Sequence, residues 1–487
     1  MQTWRECLDQ PGVIVGVSSS DGELVEIAYR SMEGIRQSAP ARDQTEAFIN
    51  TRIPDISDLP LTQLVDGEQS STLATPSQLE TWMGEASDLD PRYKCTTCDG
   101  PDWLAERLGN DSMPKVEEPF FSEFVLKLHG HCNLACRYCY VYEMADQTWR
   151  TKDMRMGTAV VEQTALRIAE HARQKNLRQV NIILHGGEPL LVGATALAAA
   201  CETLRSRIWD YAQPKFSVQT NGVLLRDSAI LEVLNTYAVG VGVSLDGDQK
   251  ANDVNRTYAN GRGTYRDVLA GVAALRDRYP HLFNGMLCTI NTDSDPLETY
   301  EALKSFHPPT IDFLLPHGNW STPPPERVAR FEAMPYADWL LQIYKQWQTE
   351  KSHSSTQTPK IRLFEALLPL QSTKVESIGL EPIRLLVIET NGEIEQVDSL
   401  KSTYEGAATT GLNVFDNELV QAFDVPGIQA RFTGKAALGE ACRYCSIVER
   451  CGGGYYPHRW HKDMGFKNPS IYCPDLRKLI PLISEGT

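Results

Sequence analysis

EFVLKLHGHCNLACRYCY, residues 123–140, sets a strand-like alternation of apolar and polar residues directly before three cysteines spaced C-x3-C-x2-C. Working outward, the alternation recurs as a series. Strand-like QVNIILH, KFSVQT, VGVSL, GMLCTI and IDFLLP follow, separated by helix-period stretches such as VVEQTALRIAEHARQ, ATALAAACETLRSRI and TYRDVLAGVAALRDR. A further helix is expected from Glu326 to Gln348. Six β/α units in series imply a parallel sheet, and six fall short of the eight that close a (β/α)8 barrel. The expected fold is therefore α/β, a partial TIM-like (β/α)6 barrel. Cys132, Cys136 and Cys139 then stand just past the C-terminal end of the first strand, where barrel-like folds build active sites.

Composition bounds the rest. The 487 residues are 42% apolar and 23% charged, with a formal charge of -16. Such a chain offers no basic stripe for phosphates, so no nucleic-acid partner is expected. The N-terminus lacks a basic start with a long apolar run, and no segment is long and apolar enough to span a bilayer. These readings place the protein in the cytoplasm, where twelve cysteines point to metal or catalytic use rather than disulfides. Residues 1–118 read as an irregular N-terminal extension and 119–350 as the barrel. After the Ser/Thr/Gln-rich SHSSTQTP linker, residues 361–487 form a C-terminal segment with a second cysteine cluster.

Three thiolates can hold three corners of a 4Fe-4S cluster and leave one iron open, although zinc binding is a competing reading of the triplet. Three more unusual stretches fall at the same edge of the sheet: HGGEPLL with Gly186, Gly187, Glu188 and Pro189; QTNG with Asn221; and SLDG with Ser244 and Asp246. Each alone reads equally well as turn chemistry. Together, with Tyr138 before the last cysteine, they resemble the radical S-adenosylmethionine (SAM) superfamily. The resemblance implies that the open iron chelates SAM and that the cluster splits it to a 5′-deoxyadenosyl radical. It also implies that Tyr138 packs near the adenine, that the GGEP segment holds the methionyl amine, and that Ser244 and Asp246 lie near the ribose. Asn221 is grouped with the same cofactor contacts.

Near the C-terminus, ACRYCSIVERCGGGYYPHRW and IYCPD supply Cys442, Cys445, Cys451 and Cys473. Four thiolates close a cluster, for electron transfer or structural support, with a zinc ribbon as the alternative. The spacing resembles the outer auxiliary cluster of SPASM-domain radical SAM enzymes. Departures from that pattern are informative: Tyr455 stands where it has a further cysteine, and LLVIETNGEIEQVDSLK upstream has none. One auxiliary 4Fe-4S cluster is expected, not two. Asp398, in the same segment, falls where many SPASM proteins place an acid. It is a candidate base for a proton lost during substrate oxidation, or else a turn or cap residue.

The longer run CYVYEMADQTWR resembles the FxsB-like cyclophane-forming maturases. That resemblance implies a precursor peptide substrate and an external electron donor of the flavodoxin or ferredoxin type. The implied reaction joins the β-carbon of one residue to an aromatic ring carbon two residues earlier. Thioether formation, epimerisation or formylglycine formation are alternative outcomes, and a zinc-stabilised peptide-binding scaffold is a non-catalytic one. In the extension, RIPDISDLPLTQLVDGEQSSTL resembles the leader segments of such precursors, with a plain amphipathic interaction segment as the other reading. Cys95 and Cys98 form an isolated CxxC. Cys201 and Cys288 sit in apolar stretches and read as core.

Overall fold

The computed structural model describes residues 119–324, 333–353, 358–368 and 375–484, together with the backbone of three short N-terminal strands. Those strands, β1 (Gln2–Thr3), β2 (Gly16–Ser20) and β3 (Glu23–Ala28), make an antiparallel sheet of their own. They belong to a unit spanning Met1–Glu117, and the remainder, Glu118–Thr487, is a second unit. The leader-like stretch at 52–73, and Cys7, Cys95 and Cys98, lie outside the described residues.

In the second unit, strands β4 (Glu123–His129), β5 (Gln179–Gly186), β6 (Gln213–Thr220), β7 (Gly240–Ser244), β8 (Phe283–Thr289) and β9 (Thr310–Leu314) pair side by side in chain order, every pair parallel. Parallel neighbours require crossovers. Helices α1 (Thr158–Gln174), α2 (Gly193–Ile208), α3 (Ser228–Thr236), α4 (Gln249–Asn255), α5 (Tyr265–Arg278) and α6 (Pro296–Lys304) provide them. The period-2 and period-3.6 patterns meet in one layer. Val180, Ile182 and Leu184 of β5, and Val161, Ala165, Ile168 and Ala172 of α1, are all within 5% of complete burial in a common core. Cys201 and Cys288 belong to that core.

The opposite face of the strands is where charge is buried. Lys127 of β4 is 2% exposed and pairs in register with His185 of β5. Six parallel strands leave the barrel open, as expected, but its edges are extended. Strand β10 (Lys360–Ile361) adds to β9, and β11 (Leu385–Ile388) adds parallel to β4. The antiparallel pair β12 (Glu393–Glu395) and β13 (Thr409–Asn413) continues from β11 and completes a ten-stranded sheet. The segment after residue 361 thus shares the barrel's sheet, which brings Glu389, Glu395 and Asp398 to the buried face carrying Lys127.

Helix α7 (Pro335–His353) begins nine residues after the sequence-based start at Glu326; residues 325–332 lie outside the described part. It packs against the C-terminal helix Cys473–Ser484. Asp475 accepts from the Ala337 amide at 2.9 Å, satisfying a donor in the first turn of α7. Tyr336 and Tyr472 stack edge to face at 5.0 Å. Among the described residues no helix is long and apolar enough to cross a membrane.

Candidate active site

The cysteine loop leaves β4 at His129 and is held against the end of β5. The Gly187 amide donates to the His129 carbonyl at 2.8 Å and the Glu188 amide to that of His131 at 3.0 Å. Only glycine permits this approach. A Cβ on Gly187 would lie 1.9 Å from the Tyr142 hydroxyl and 2.4 Å from the His131 carbonyl carbon, and one on Gly186 would lie 2.3 Å from the His129 oxygen. The two glycines of GGEP therefore admit the backbone of the cysteine loop itself.

Glu188 and Pro189 follow, both buried. The carboxylate of Glu188 accepts from Thr220 Oγ1 at 2.7 Å, the Asn221 amide at 2.8 Å and the Leu190 amide at 3.1 Å. It ties the turn after β5 to the turn after β6. Asn221 in turn donates from Nδ2 to Asn133 Oδ1 at 2.7 Å and lies 3.8 Å from Cys132 Sγ. The Leu134 amide also points at that sulfur, at 3.4 Å. Burial pushes the Cys132 thiol up to about 12, and Glu188, Cys136 and Cys139 push the same way. Three half-buried thiols in one loop, each pushed up by loss of solvent, suit a site whose charge is balanced by bound iron.

Tyr138 and Asp246 meet directly. The phenol donates to Asp246 Oδ2 at 2.5 Å and accepts from Arg256 Nη1 at 2.9 Å, while Asp246 Oδ1 accepts from the Thr289 amide at 2.9 Å. Burial raises the Asp246 carboxyl, and Arg256 opposes that rise. Ser244, at the end of β7, accepts from Gln219 Nε2 at 2.9 Å. Arg256 carries no signal in the sequence. It is a lone basic residue after a short helix, and only the fold places its guanidinium against the Tyr138 phenol that meets Asp246.

A second charged group lies beside the loop. Asp398 contacts Lys127 at 2.5 Å, Lys401 at 3.5 Å and His185 at 3.9 Å. Lys401, 1% exposed, also contacts Glu389 at 2.5 Å and Glu395 at 2.8 Å, and Lys152 bridges Glu395, at 3.3 Å, and Glu393. Burial alone would raise the Asp398 carboxyl, but Lys127, Lys401 and His185 outweigh it and hold the group well below the usual range. Burial would strip Lys401 of its proton, yet Asp398, Glu395 and Glu389 keep it there. His185 is pushed down to about 4 by burial, then by Lys127, so it is neutral near pH 7. Burial raises the Tyr140 phenol, and the Asp398 carboxylate pushes it the same way.

The motif CYVYEMADQTWR fastens these parts together. Asp146, 1% exposed, accepts from the Gly406 amide at 2.6 Å and from Thr148 Oγ1 at 2.6 Å, and its own amide donates to the Lys401 carbonyl at 3.0 Å. Gln147 donates from its amide to Glu405 at 2.8 Å and accepts from Trp149 Nε1 at 3.2 Å. Trp149 packs edge to face with Tyr142 at 4.9 Å. Its ADQ-WR portion clamps the cysteine loop to the segment carrying Asp398 and Lys401.

Cys442, Cys445, Cys451 and Cys473 line one cavity of about 170 Å3, walled by Ile447, Val448 and Leu476. Gly452, Gly453 and Gly454 all have positive φ; a Cβ on Gly452 would fall 1.8 Å from the Gly379 oxygen. The tight turn lets Arg459 donate to the carbonyls of Gly452 and Gly454 at 2.5 and 2.6 Å. Burial pushes the Cys451 thiol up to about 12, with Cys473 and Cys442 adding to the rise and Arg459 opposing it. Four cysteines lining one partly open cavity fit a closed cluster.

Residues 126–303 match the Radical SAM superfamily. The chain is 26% identical over 334 residues to a serine-type anaerobic sulfatase-maturating enzyme of Klebsiella aerogenes, covering 67% of this chain and 77% of that one. It is 23% identical over 371 residues to a cysteine-type counterpart of Clostridium perfringens, covering 74% and 95%. A solved structure described as native anSMEcpe with bound AdoMet superposes with a TM-score of 0.61 at 19% identity, over 74% of this chain and 98% of that one, which establishes the shared fold. The open six-strand barrel, the three-cysteine loop at its mouth and these similarities mark the chain as a SAM-dependent modifying enzyme whose residues 126–303 match the Radical SAM superfamily, a family that works with a 4Fe-4S cluster.

Proposed function

We propose that the chain matures a ribosomally synthesised precursor peptide by joining an aromatic ring carbon to the β-carbon of a residue two positions later. The observation that carries this reading is the buried Asp398, paired with Lys127 at 2.5 Å and carried on a segment that Asp146 clamps to the cysteine loop, where it can accept a proton from a bound peptide. Cys132, Cys136 and Cys139 would hold the SAM-binding cluster, with Gly186, Gly187, Glu188, Pro189 and Asn221 shaping its surround and Tyr138, Ser244 and Asp246 facing the nucleoside. Cys442, Cys445, Cys451 and Cys473 would hold the auxiliary cluster. When bound, these groups supply a hydrogen-abstracting radical and an electron acceptor.

The chain's own part is to orient and to move a proton. A carboxylate held low by Lys127 and Lys401 is a weak base, but a ring regaining aromaticity releases its proton readily, so a weak base suffices. Lys127, in contact with Asp398, keeps the acceptor ionised until then. The clamp from Asp146 to Gly406 fixes this acceptor relative to the loop.

Formylglycine formation is the second reading, favoured by the sulfatase-maturating relatives. The cysteine inventory favours crosslinking: apart from the two proposed sets, the described cysteines are Cys201 and Cys288, both in the core, so the described residues offer one auxiliary site. Co-expression with candidate precursor peptides, followed by tandem mass spectrometry, tests this. A crosslink removes two hydrogens and suppresses fragmentation across three residues. A peptide that instead reacts with a hydrazide, as an aldehyde does, overturns the proposal.

A further inference from the structure

A run of packed rings joins the two cysteine sets. Tyr140, next to Cys139, stands against His317 with ring centroids 4.6 Å apart. His317 meets His458 at 6.1 Å and Tyr455 at 5.9 Å, and Tyr455 and His458 are 5.1 Å apart. His458 meets Tyr472 at 4.9 Å, and Tyr472 immediately precedes Cys473. Every step lies within the ordinary range of aromatic contact. From Cys139 to Cys473 the route crosses three ring-to-ring gaps.

Packing alone does not account for the choice of residues. His458 is 1% exposed and both its ring nitrogens lack a hydrogen-bond partner, as does Nδ1 of His317. A buried nitrogen left this way carries a desolvation penalty that leucine or phenylalanine in the same place would avoid. The two imidazoles lie on this route between the two proposed cluster sites. Electrons tunnel through packed, conjugated matter far more readily than through water or voids, and the proposed crosslinking leaves one electron to be removed from the substrate.

We propose that Tyr140, His317, His458 and Tyr472 form the path by which one electron passes between the two cysteine-bound iron–sulfur sites, with Tyr455 packed on its side. The inference rests on the crosslinking reading for its direction. Once the new C–C bond has formed, the substrate radical gives up one electron and one ring proton. The proton goes to Asp398, and the electron crosses the rings to the auxiliary cluster, which is reduced by one electron. The rings end unchanged. An electron carrier of the flavodoxin or ferredoxin class reoxidises the auxiliary cluster.

The test uses the full chain with both clusters loaded and no peptide. A photosensitiser delivers one electron in a flash, and time-resolved absorption with freeze-quench EPR follows its equilibration between the two clusters. His317→Leu and His458→Leu are expected to slow equilibration about tenfold or more, the rate equivalent of ~1.4 kcal/mol, whereas His317→Phe, which restores a ring, stays close to wild type. Leucine variants with full iron content that equilibrate at the wild-type rate overturn the proposal, as does a phenylalanine variant as slow as the leucine one. If a leucine variant fails to hold its iron, Tyr140→Leu and His317→Phe make the same comparison, one removing a ring from the path and the other keeping it. Absence of a crosslinked product would sink the proposed function and leave this measurement standing.

Discussion

Replacing Lys401 with methionine tests the buried charge cluster most directly. In the native chain its ammonium touches three carboxylates, yet the substitution does not strand all three. Asp398 keeps Lys127 at 2.5 Å and Glu395 keeps Lys152 at 3.3 Å. Among the described residues, Glu389 has Lys401 as its contact ion pair, at 2.5 Å, and is 4% exposed. One buried charge is orphaned, so the expected loss is one such penalty, ~3–5 kcal/mol, rather than three. Urea unfolding of the cluster-free protein, followed by circular dichroism, should show a lower midpoint with an unchanged slope. Adding Glu389→Gln removes the orphan and should return ~1 kcal/mol or more. The pH dependence has a definite sign. Burial would raise Glu389, but Lys127 and Lys401 hold it low, so its support is present above the ordinary glutamate range and lost as pH falls through the native value. Without Lys401 the same carboxyl moves up, the folded variant binds a proton, and its deficit should shrink between pH ~8 and ~5. A loss under ~1 kcal/mol, or strict additivity of the two substitutions, would refute the assigned network.

Asp398→Asn should leave peptide-free SAM cleavage intact and cut crosslinked product by ~100-fold or more, in the range for removing a general base; unchanged product yield by mass spectrometry removes Asp398 from the chemistry. Gly187→Ala must displace the cysteine loop or Tyr142 and should cost ~1–3 kcal/mol together with iron at the three-cysteine site, whereas Gly157→Ala meets nothing within 4 Å and should cost at most the ~1 kcal/mol of a poorer helix N-cap and leave that iron in place. His171, His185 and His317 are each pushed down to about 4, chiefly by burial. Unfolded histidine binds its proton near pH ~6.5, so stability should fall as pH drops from there towards 4, and His171→Gln should flatten the slope by up to ~1.4 kcal/mol per pH unit.

What the sequence discloses follows from how locally each feature is written. The six strands and their helices repeat periods of 2 and 3.6 within a dozen residues, and β4 coincides with EFVLKLH end to end. The cysteine spacings are equally local. Glycine's role in GGEP is half legible: the residue type signals a close approach, and the natural expectation is a ligand, whereas the backbone met at Gly187 is that of His131 in the cysteine loop. The continuation of the sheet from β4 into β11 cannot be read, because the pairing joins Glu123 to Leu385 across the whole barrel and no local pattern encodes which edge a late strand chooses.

The charge cluster shows the same limit in a sharper form. Lys127 appears in EFVLKLH as the polar member of an alternation that normally faces water, and the segment gives no reason to bury it. Its burial becomes tolerable only when β11, β12 and the turns beside them supply Glu389, Glu395 and Asp398 from the far side of the barrel sequence, and those carboxylates are in turn tolerable only with Lys401. None of the charges explains itself within its own segment; each is compensated by another from a distant one. Clamping them through Asp146 to the cysteine loop makes folding of the C-terminal segment and completion of the active site a single event. A chain truncated before β11 should therefore expose Lys127 and lose the partner of Asp146, while retaining all three cysteines of the proposed SAM-binding cluster.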